Sequence, residues 1–331
     1  MALRAWRRRS PISAQPGVGG FVMRAWRSLV HPAGRLLVAA ALLGGCDRPA
    51  EHSPGGTRGD GIAVTDAAGR RVTLAAPARR IVSLAPSSTE LLFAIGAGAQ
   101  VVGRTSWCKY PPAALAVPVV GDGLNPNLEA VAARRPDLVV LYASALNETA
   151  VAQLARVGIP AVLVKQDLLD DVAVAARLLG ALTGHPTAGD SIAATLATVR
   201  RDTLRLARPV RIAFVVWDNP PIVIGSGSFL DQLATLAGAQ NVFHDLSSPS
   251  ATVSLETIAV RDPDVIAVLD DSTPAAAPAF AERREWRVVR AVRERRFLRL
   301  PAALFGRPSP RAGESVAVLR RLLVAAGGAE R

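Results

Sequence analysis

The chain has 331 residues, half of them apolar, with a formal net charge of +12. That is enough apolar material for two cores of roughly 100–150 residues each, and it excludes a disordered chain. Residues 1–45 carry seven arginines and no acid, while from Cys46 onward 32 basic residues face 27 acidic ones; so mild an excess is ordinary surface and no nucleic-acid footprint.

Residues 1–45 read as a signal segment. From Met23, a second candidate start, Arg24, Arg27 and Arg35 precede an apolar run from Leu36 to Leu43, then Gly44, Gly45 and Cys46, which is the order of a secretory signal. The run is shorter than the about 20 residues a membrane-spanning helix needs. Leu43-Gly44-Gly45-Cys46 resembles the lipobox of bacterial lipoproteins, which makes Cys46 the expected lipid-bearing residue. The expected location is therefore the periplasm or the outer face of the cytoplasmic membrane, with the chain anchored through Cys46. Only Cys108 is then left, so no disulfide framework is expected. Residues 46–60, with Pro49, Pro54, Gly55, Gly56 and Gly59, read as a flexible tether.

A first α/β lobe is expected over residues 61–168. After a lead-in from Ile62 to Leu74, Ile81-Val82-Ser83-Leu84 reads as a strand and Pro86-Ser87-Ser88-Thr89-Glu90 opens a helix, with Ser87 and Glu90 in capping-box spacing and Gly96 and Gly98 ending it. Val101 to Gly103, Val119 to Gly121, Leu138 to Tyr142 and Ala161 to Val164 are further strand candidates. Helices are expected from near Asn125-Pro126 and Asn147. Residues 169–208 change to two helical stretches split by Gly184-His185-Pro186. The second, from Thr187 to Ala207, carries Ile192, Leu196, Val199 and Thr203 on one face; at roughly 30 Å it is long enough to bridge two lobes.

A second lobe is expected over residues 209–331. It starts with a strand from Arg211 to Val216 and a loop, Trp217-Asp218-Asn219-Pro220-Pro221. Ser228-Phe229-Leu230-Asp231 caps a helix ending at Gly238, and the charged stretch from Pro278 to Glu294 reads as a helix with a solvated face. A strand from Phe297 to Leu300 and a final amphipathic helix through Val316, Leu319, Leu322 and Leu323 complete it. The two lobes share a repeated phrase: NLEAVAARRPDLVVL (Asn127–Leu141) aligns with SLETIAVRDPDVIAV (Ser254–Val268). Each copy is a short helix, a proline stop whose preceding residue should be extended, and a buried strand. Duplication at this distance implies two similar lobes with a cleft between them, each offering one acid, Glu129 or Glu256, in a first helical turn where the dipole favours it.

Catalytic chemistry is poorly represented. His31 lies in the signal and His52 in the tether, and neither His185 nor His244 has metal-site spacing or a nucleophile beside it. No Walker loop, GxGxxG or GxSxG motif is present, so neither an enzyme nor a resident cofactor or metal is expected. A serine hydrolase using Ser87 or Ser228 would lack a base, and a receptor for bare zinc or manganese would want more histidines. Polar and aromatic residues gather instead at strand ends, where open α/β sheets bind ligands: Pro86, Ser87, Trp107, Tyr110, Gly121, Asp122 and Tyr142 in the first lobe, Trp217, Asn219, Ser228 and Phe229 in the second. They suit a flat or large apolar ligand, and Arg307 suits either an anionic ligand group or a surface carboxylate.

RIVSLAPSSTELLFAIGAGAQVVGRTSWCKYPP (Arg80–Pro112), NLEAVAARRPDLVV, WDNPP with GSGSFLDQLATLAGAQNVF (Gly225–Phe243), SLETIAVRDPDVI and RPSPR (Arg307–Arg311) together resemble the substrate-binding proteins of ABC importers for cobalamin and iron chelates. The resemblance runs from about Ile62 to Leu323 and implies two Rossmann-like lobes joined by a single long interlobe α-helix. It further implies a monomeric, lipid-tethered receptor that captures its ligand in the cleft and docks on a permease dimer in the cytoplasmic membrane. Glu129 and Glu256 match the two glutamates with which such receptors engage permease arginines, pairs that steer encounter more than they add affinity. The Ser106–Pro111 stretch looks like the aromatic loop of cobalamin binders. Haem and ferric siderophores stay open, with Tyr110 and Tyr142 as the candidate iron ligands.

Overall fold

Continuous apolar runs such as Leu138–Leu141 and Ala161–Val164 are buried at every position, which is the mark of parallel strands covered on both faces. A computed structural model describes residues 61–122, 127–205, 208–271 and 277–326. The signal segment, the tether, Cys46 and the expected helix start at Asn125-Pro126 lie outside the described residues. β1 (Ile62–Thr65) and β2 (Arg71–Leu74) form an antiparallel hairpin. β3 (Ile81–Ser83), α1 (Pro86–Ala94), β4 (Val101–Arg104), α2 (Leu128–Ala133), β5 (Leu138–Tyr142), α3 (Ala145–Arg156) and β6 (Ala161–Val164) build the first lobe. After α4 (Leu169–Thr183) and α5 (Pro186–Arg201) come β7 (Val210–Asp218), β8 (Pro221–Ile224), α6 (Phe229–Leu236), β9 (Ala239–Asn241), β10 (Ser250–Thr252), α7 (Leu255–Arg261), β11 (Val265–Leu269), α8 (Arg290–Arg293), β12 (Phe297–Leu300), α9 (Ala302–Phe305) and α10 (Ala312–Ala325). Among the described residues no helix is long and apolar enough to cross a membrane.

The sheets repeat one another. The first lobe has the parallel order β4-β3-β5-β6. In the second, β9, β7, β11 and β12 follow the same parallel order, and β8 and β10 extend it as an antiparallel ribbon. The repeated phrase falls on equivalent pieces, α2–β5 and α7–β11. In the first lobe Asp137 accepts from the backbone N–H of Arg79 and Arg80, both at 2.8 Å, while Arg80 donates to the carbonyls of Arg134 (2.6 Å) and Arg135 (3.0 Å). In the second, Asp264 accepts from the N–H of Arg211 at 3.0 Å and Arg211 donates to the carbonyls of Arg261 (2.5 Å) and Asp262 (3.4 Å). The residue before each proline is not extended as expected: Arg135 and Asp262 take φ of 49° and 41°. A left-handed residue ends the helix and turns the chain into the strand, and the arginine bonded to its carbonyl holds it there.

Hydrophobic clusters cover both faces of each sheet. α4 and α5 belong to both lobes. Leu169 and Val172 of α4 and Leu196 of α5 lie in the second lobe's core, while Ala175, Ala176, Leu179 and Leu182 of α4 lie in the first. α5 is the single helix that carries the chain across, as expected, but its 16 residues make it about 24 Å long, and α4 braces it. The two helices touch at glycines: a Cβ on Gly189 would stand 2.4 Å from the carbonyl oxygen of Ala176, so only glycine admits this approach.

Other local expectations shift. α1 has Ala85 at its N-cap with no side-chain cap bond, so Ser87 and Glu90 form no capping box. α3 starts behind Ser144, whose hydroxyl accepts from the N–H of Asn147 at 3.3 Å. Of the strand expected at Val119–Gly121, a bridge from Val119 to Arg104 is present. Trp217 and Asp218 belong to β7 instead of a loop. The stretch from Pro278 to Glu294 is a chain of short turns, because Phe280, Trp286, Val289 and Val292 are buried, with Phe280 and Trp286 rings 4.2 Å apart.

Candidate functional site

Contacts between the lobes come from the loops that follow the strands. Asp167, beyond β6, accepts through its carbonyl from the N–H of Phe229 at the start of α6, 3.1 Å away. Glu90, in α1 just after β3, is only 2% exposed and receives Arg311 Nε at 2.6 Å and Arg307 Nε at 3.4 Å from the chain beyond β12. Arg311 also lies over the Tyr110 ring, 3.8 Å from its centroid. The carboxyl ends of the two sheets therefore face each other, which is where the strand order places a ligand. Glu90 and Arg311 were not singled out from the sequence; their separation by 221 positions leaves no local signal.

In the first lobe the order reverses between β3 and β5. At that point a pocket of about 310 Å³ opens, with Leu84 to Ser87 on one side, Tyr142, Ser144, Leu146 and Asn147 on the other, and Gln166 beyond β6. Ser88 donates to Gln166 Oε1 at 2.7 Å, and Asn147 Nδ2 donates to the Tyr142 carbonyl at 2.8 Å. The Tyr142 hydroxyl donates to Asp167 Oδ1 at 2.6 Å. Partial burial, then the Asp167 hydrogen bond and the Asp167 and Asp171 charges, push the Tyr142 phenol up to about 12, so it keeps its proton at neutral pH.

Of the residues proposed from sequence, Pro86, Ser87 and Tyr142 line this pocket. Trp107, beyond β4, and Trp217, at the end of β7, are 58% and 59% exposed; Trp217 Nε1 donates to the Asn219 carbonyl at 2.8 Å. Asn219 and Asp122 are exposed and Gly121 is partly so, with a φ of 149°. Tyr110 and Arg307 join the Glu90 cluster. Two positions serve the fold: Ser228 caps α6 by accepting from the Leu230 N–H, and Phe229 is buried in the second lobe's core, because an apolar first turn under that cap faces inward. Cys108 is buried too, with its Sγ 2.9 Å from Thr89 Oγ1 and 3.1 Å from Thr105 Oγ1.

Glu129 and Glu256 occupy the first turns of α2 and α7 and are both exposed. Among the described residues neither forms an ion pair. Glu256 is held below the usual carboxylate range by hydrogen bonds from its own backbone N–H and from Ser254. The histidines are engaged apart: His244 with Asp231 at 2.9 Å and His185 with Thr183 at 3.3 Å. Among the described residues, no three His, Cys, Asp or Glu side chains gather where they could hold a metal ion.

The periplasmic binding protein family model matches residues 81–304. The vitamin B12-binding protein of Vibrio cholerae serotype O1 is 28% identical over 248 residues, covering 72% of this chain and 87% of the relative. YvrC of Bacillus subtilis (strain 168), an uncharacterized ABC transporter substrate-binding lipoprotein, is 28% identical over 295 residues, 85% of this chain and 92% of its own. Among solved structures, the periplasmic heme-binding protein RhuT from Roseiflexus sp. RS-1 in apo form matches with a TM-score of 0.66 at 26% identity, over 75% of this chain and 98% of that one. The twofold repetition of one strand order, the facing carboxyl ends and a family match that reaches through both lobes lead to one conclusion: the chain belongs to the periplasmic binding protein family, as a substrate-binding component of an ABC importer and not an enzyme.

Proposed function

We propose that the protein is a lipid-anchored receptor that captures a corrinoid between its lobes and delivers it to a permease in the cytoplasmic membrane. The observation that carries the corrinoid reading is the pair of exposed indoles at strand ends, Trp107 on the first lobe and Trp217 on the second. A corrinoid brings its own axial ligands and asks the protein for apolar faces, which Trp107 and Trp217 offer on opposite lobes. The vitamin B12-binding relative supports the same cargo. Haem is the second reading, favoured by the likeness to a heme-binding protein; its iron would take Tyr110, beside the Arg311 guanidinium, or Tyr142, which would have to lose its proton and leave Asp167.

Glu129 and Glu256, exposed at equivalent places on the two lobes, are proposed to dock on basic residues of the permease, one lobe per subunit. Cys46 is proposed as the lipid attachment point, and the receptor is proposed to act as a monomer. The test is a titration of the purified protein with cyanocobalamin, haemin and a ferric hydroxamate. Micromolar or tighter binding of cyanocobalamin supports the proposal. Binding of haemin alone, with a tyrosinate absorption band, supports the second reading, and binding of none contradicts both.

A further inference from the structure

The start of α1 holds three buried polar side chains in a row. Ser88 and Thr89 are both 0% exposed and Glu90 is 2% exposed, whereas Leu91 and Leu92, which follow, fill the core as apolar residues. Burying a polar group costs free energy unless a partner inside the protein replaces its water. Consecutive helical side chains fan out by about 100°, so the partners lie in three directions. α1 follows β3, which has strands on both sides, and each direction leads to a different loop.

Ser88 reaches the loop beyond β6: its hydroxyl donates to Gln166 Oε1 at 2.7 Å. The next residue, Asp167, accepts from the Tyr142 hydroxyl at 2.6 Å and, through its carbonyl, from the Phe229 N–H of the second lobe at 3.1 Å. Thr89 reaches the loop beyond β4. Its Oγ1 lies 2.9 Å from the Sγ of Cys108, the residue after Trp107, and 2.8 Å from Ser83 Oγ on β3, which ties the loop to the sheet. Glu90 reaches the second lobe. It receives Arg311 through Nε at 2.6 Å and Nη2 at 3.3 Å, and the same guanidinium covers the Tyr110 ring.

We infer that Ser88, Thr89 and Glu90 are positioning residues of the cargo site. They are too buried to touch cargo, and each fixes one loop that carries or supports a candidate contact: Asp167 behind Tyr142, the Trp107 and Tyr110 loop, and the segment of Arg307 and Arg311. The inference rests on the proposed capture between the lobes and deepens it, because the cleft aromatics then owe their fixed geometry to side chains outside the contact surface. A loop held before cargo arrives loses less freedom on binding, which raises affinity without adding a contact. None of the three was among the candidate site residues read from the sequence.

The test compares the full-length protein with its Ser88→Ala, Thr89→Val and Glu90→Gln variants, each melted first to verify folding. Hydrogen exchange in the empty proteins reports local opening. It is expected to quicken in a different loop for each variant: residues 165–168 for Ser88→Ala, 105–110 for Thr89→Val and 307–311 for Glu90→Gln. Thr89→Ser, which restores the hydroxyl, should return the 105–110 loop to wild-type exchange. Exchange that quickens throughout the first lobe, or in none of these loops, overturns the inference, and a variant that fails to fold leaves the other two to decide. Titration with cyanocobalamin then ties the loops to capture. Thr89→Val is expected to weaken binding about tenfold, as fits the loss of one buried hydrogen bond, and the loss should largely vanish in a Trp107→Ala background, because Thr89 acts through that residue's loop. Equal losses in both backgrounds, or none with Trp107 intact, overturn the positioning role while leaving the cargo reading in place. If the wild type binds haemin and not cyanocobalamin, the corrinoid reading falls and the same cycle with haemin decides the positioning role; if it binds neither, both fall.

Discussion

Tyr142 shows how one hydrogen bond sets a site's chemistry. Its phenol is raised to about 12 by partial burial and by Asp167, so it is a neutral donor across the physiological range. In a Tyr110→Phe background, where Tyr142 is the remaining tyrosine, absorbance at 295 nm should titrate near pH 12. Adding Asp167→Asn should move the midpoint toward the ordinary value of about 10; a midpoint near 10 without that change would show that the Tyr142–Asp167 bond is absent. Residue roles were only half legible in the sequence. Trp107, Tyr142 and Trp217 stood out in the sequence as candidates because aromatic side chains at strand ends are unusual, and the structure places them beyond β4, in β5 and in β7. Glu90 did not, because its capping-box spacing with Ser87 gave a sufficient local explanation, whereas its partners come from the other lobe.

The helix–proline–strand unit shows why certain elements were easy to read. Proline stops a helix that runs into it, and a strand buried on both faces has to be apolar throughout, so β5 and β6 could be read residue by residue. The lock between the pieces could not. It depends on Arg80 with Asp137, and on Arg211 with Asp264, pairs set far apart in the chain. Burial works to raise the Asp264 carboxyl, but the Arg211 N–H and the Arg290 guanidinium outweigh it and hold the group below its ordinary value. A depressed folded pKa adds stability above the unfolded value of about 3.9 and loses it as pH falls through the folded one. Asp264→Asn should therefore cost about 1–3 kcal/mol at pH 7, with the gap to wild type closing below about pH 4. Urea melts at pH 7 and pH 3 check this, and a gap independent of pH would contradict it. The Pro278–Glu294 stretch misled for a related reason: its charges suggested a solvated helix, but Arg290 pairs with Asp262 and Asp264 and Trp286 is buried beneath.

For the whole molecule, the α4–α5 pair, the Asp167–Phe229 hydrogen bond and the Glu90–Arg311–Arg307 cluster all link the lobes among the described residues. Breaking a buried ion pair on one side leaves charge without a partner, so Glu90→Gln should lower stability by about 3 kcal/mol, seen as a reduced melting temperature; an unchanged melt would show that the cluster carries no load between the lobes. Docking and capture are separable, because Glu129 and Glu256 lie on α2 and α7, outside the pocket lining. Glu129→Ala with Glu256→Ala should leave cargo affinity unchanged and reduce association with the permease in pull-down; a fall in cargo affinity would assign them to capture instead. The twofold architecture was legible because the repeated phrase survives in the sequence. The identity of the cargo was not, because vitamin B12-binding and heme-binding proteins are both similar to this chain. The most direct test of capture between lobes is calorimetric titration of cyanocobalamin into wild type, Trp107→Ala and Trp217→Ala. One site per chain at micromolar or tighter affinity is expected, weakened by loss of either tryptophan. Binding unaffected by one of the two, or no binding at all, would contradict it.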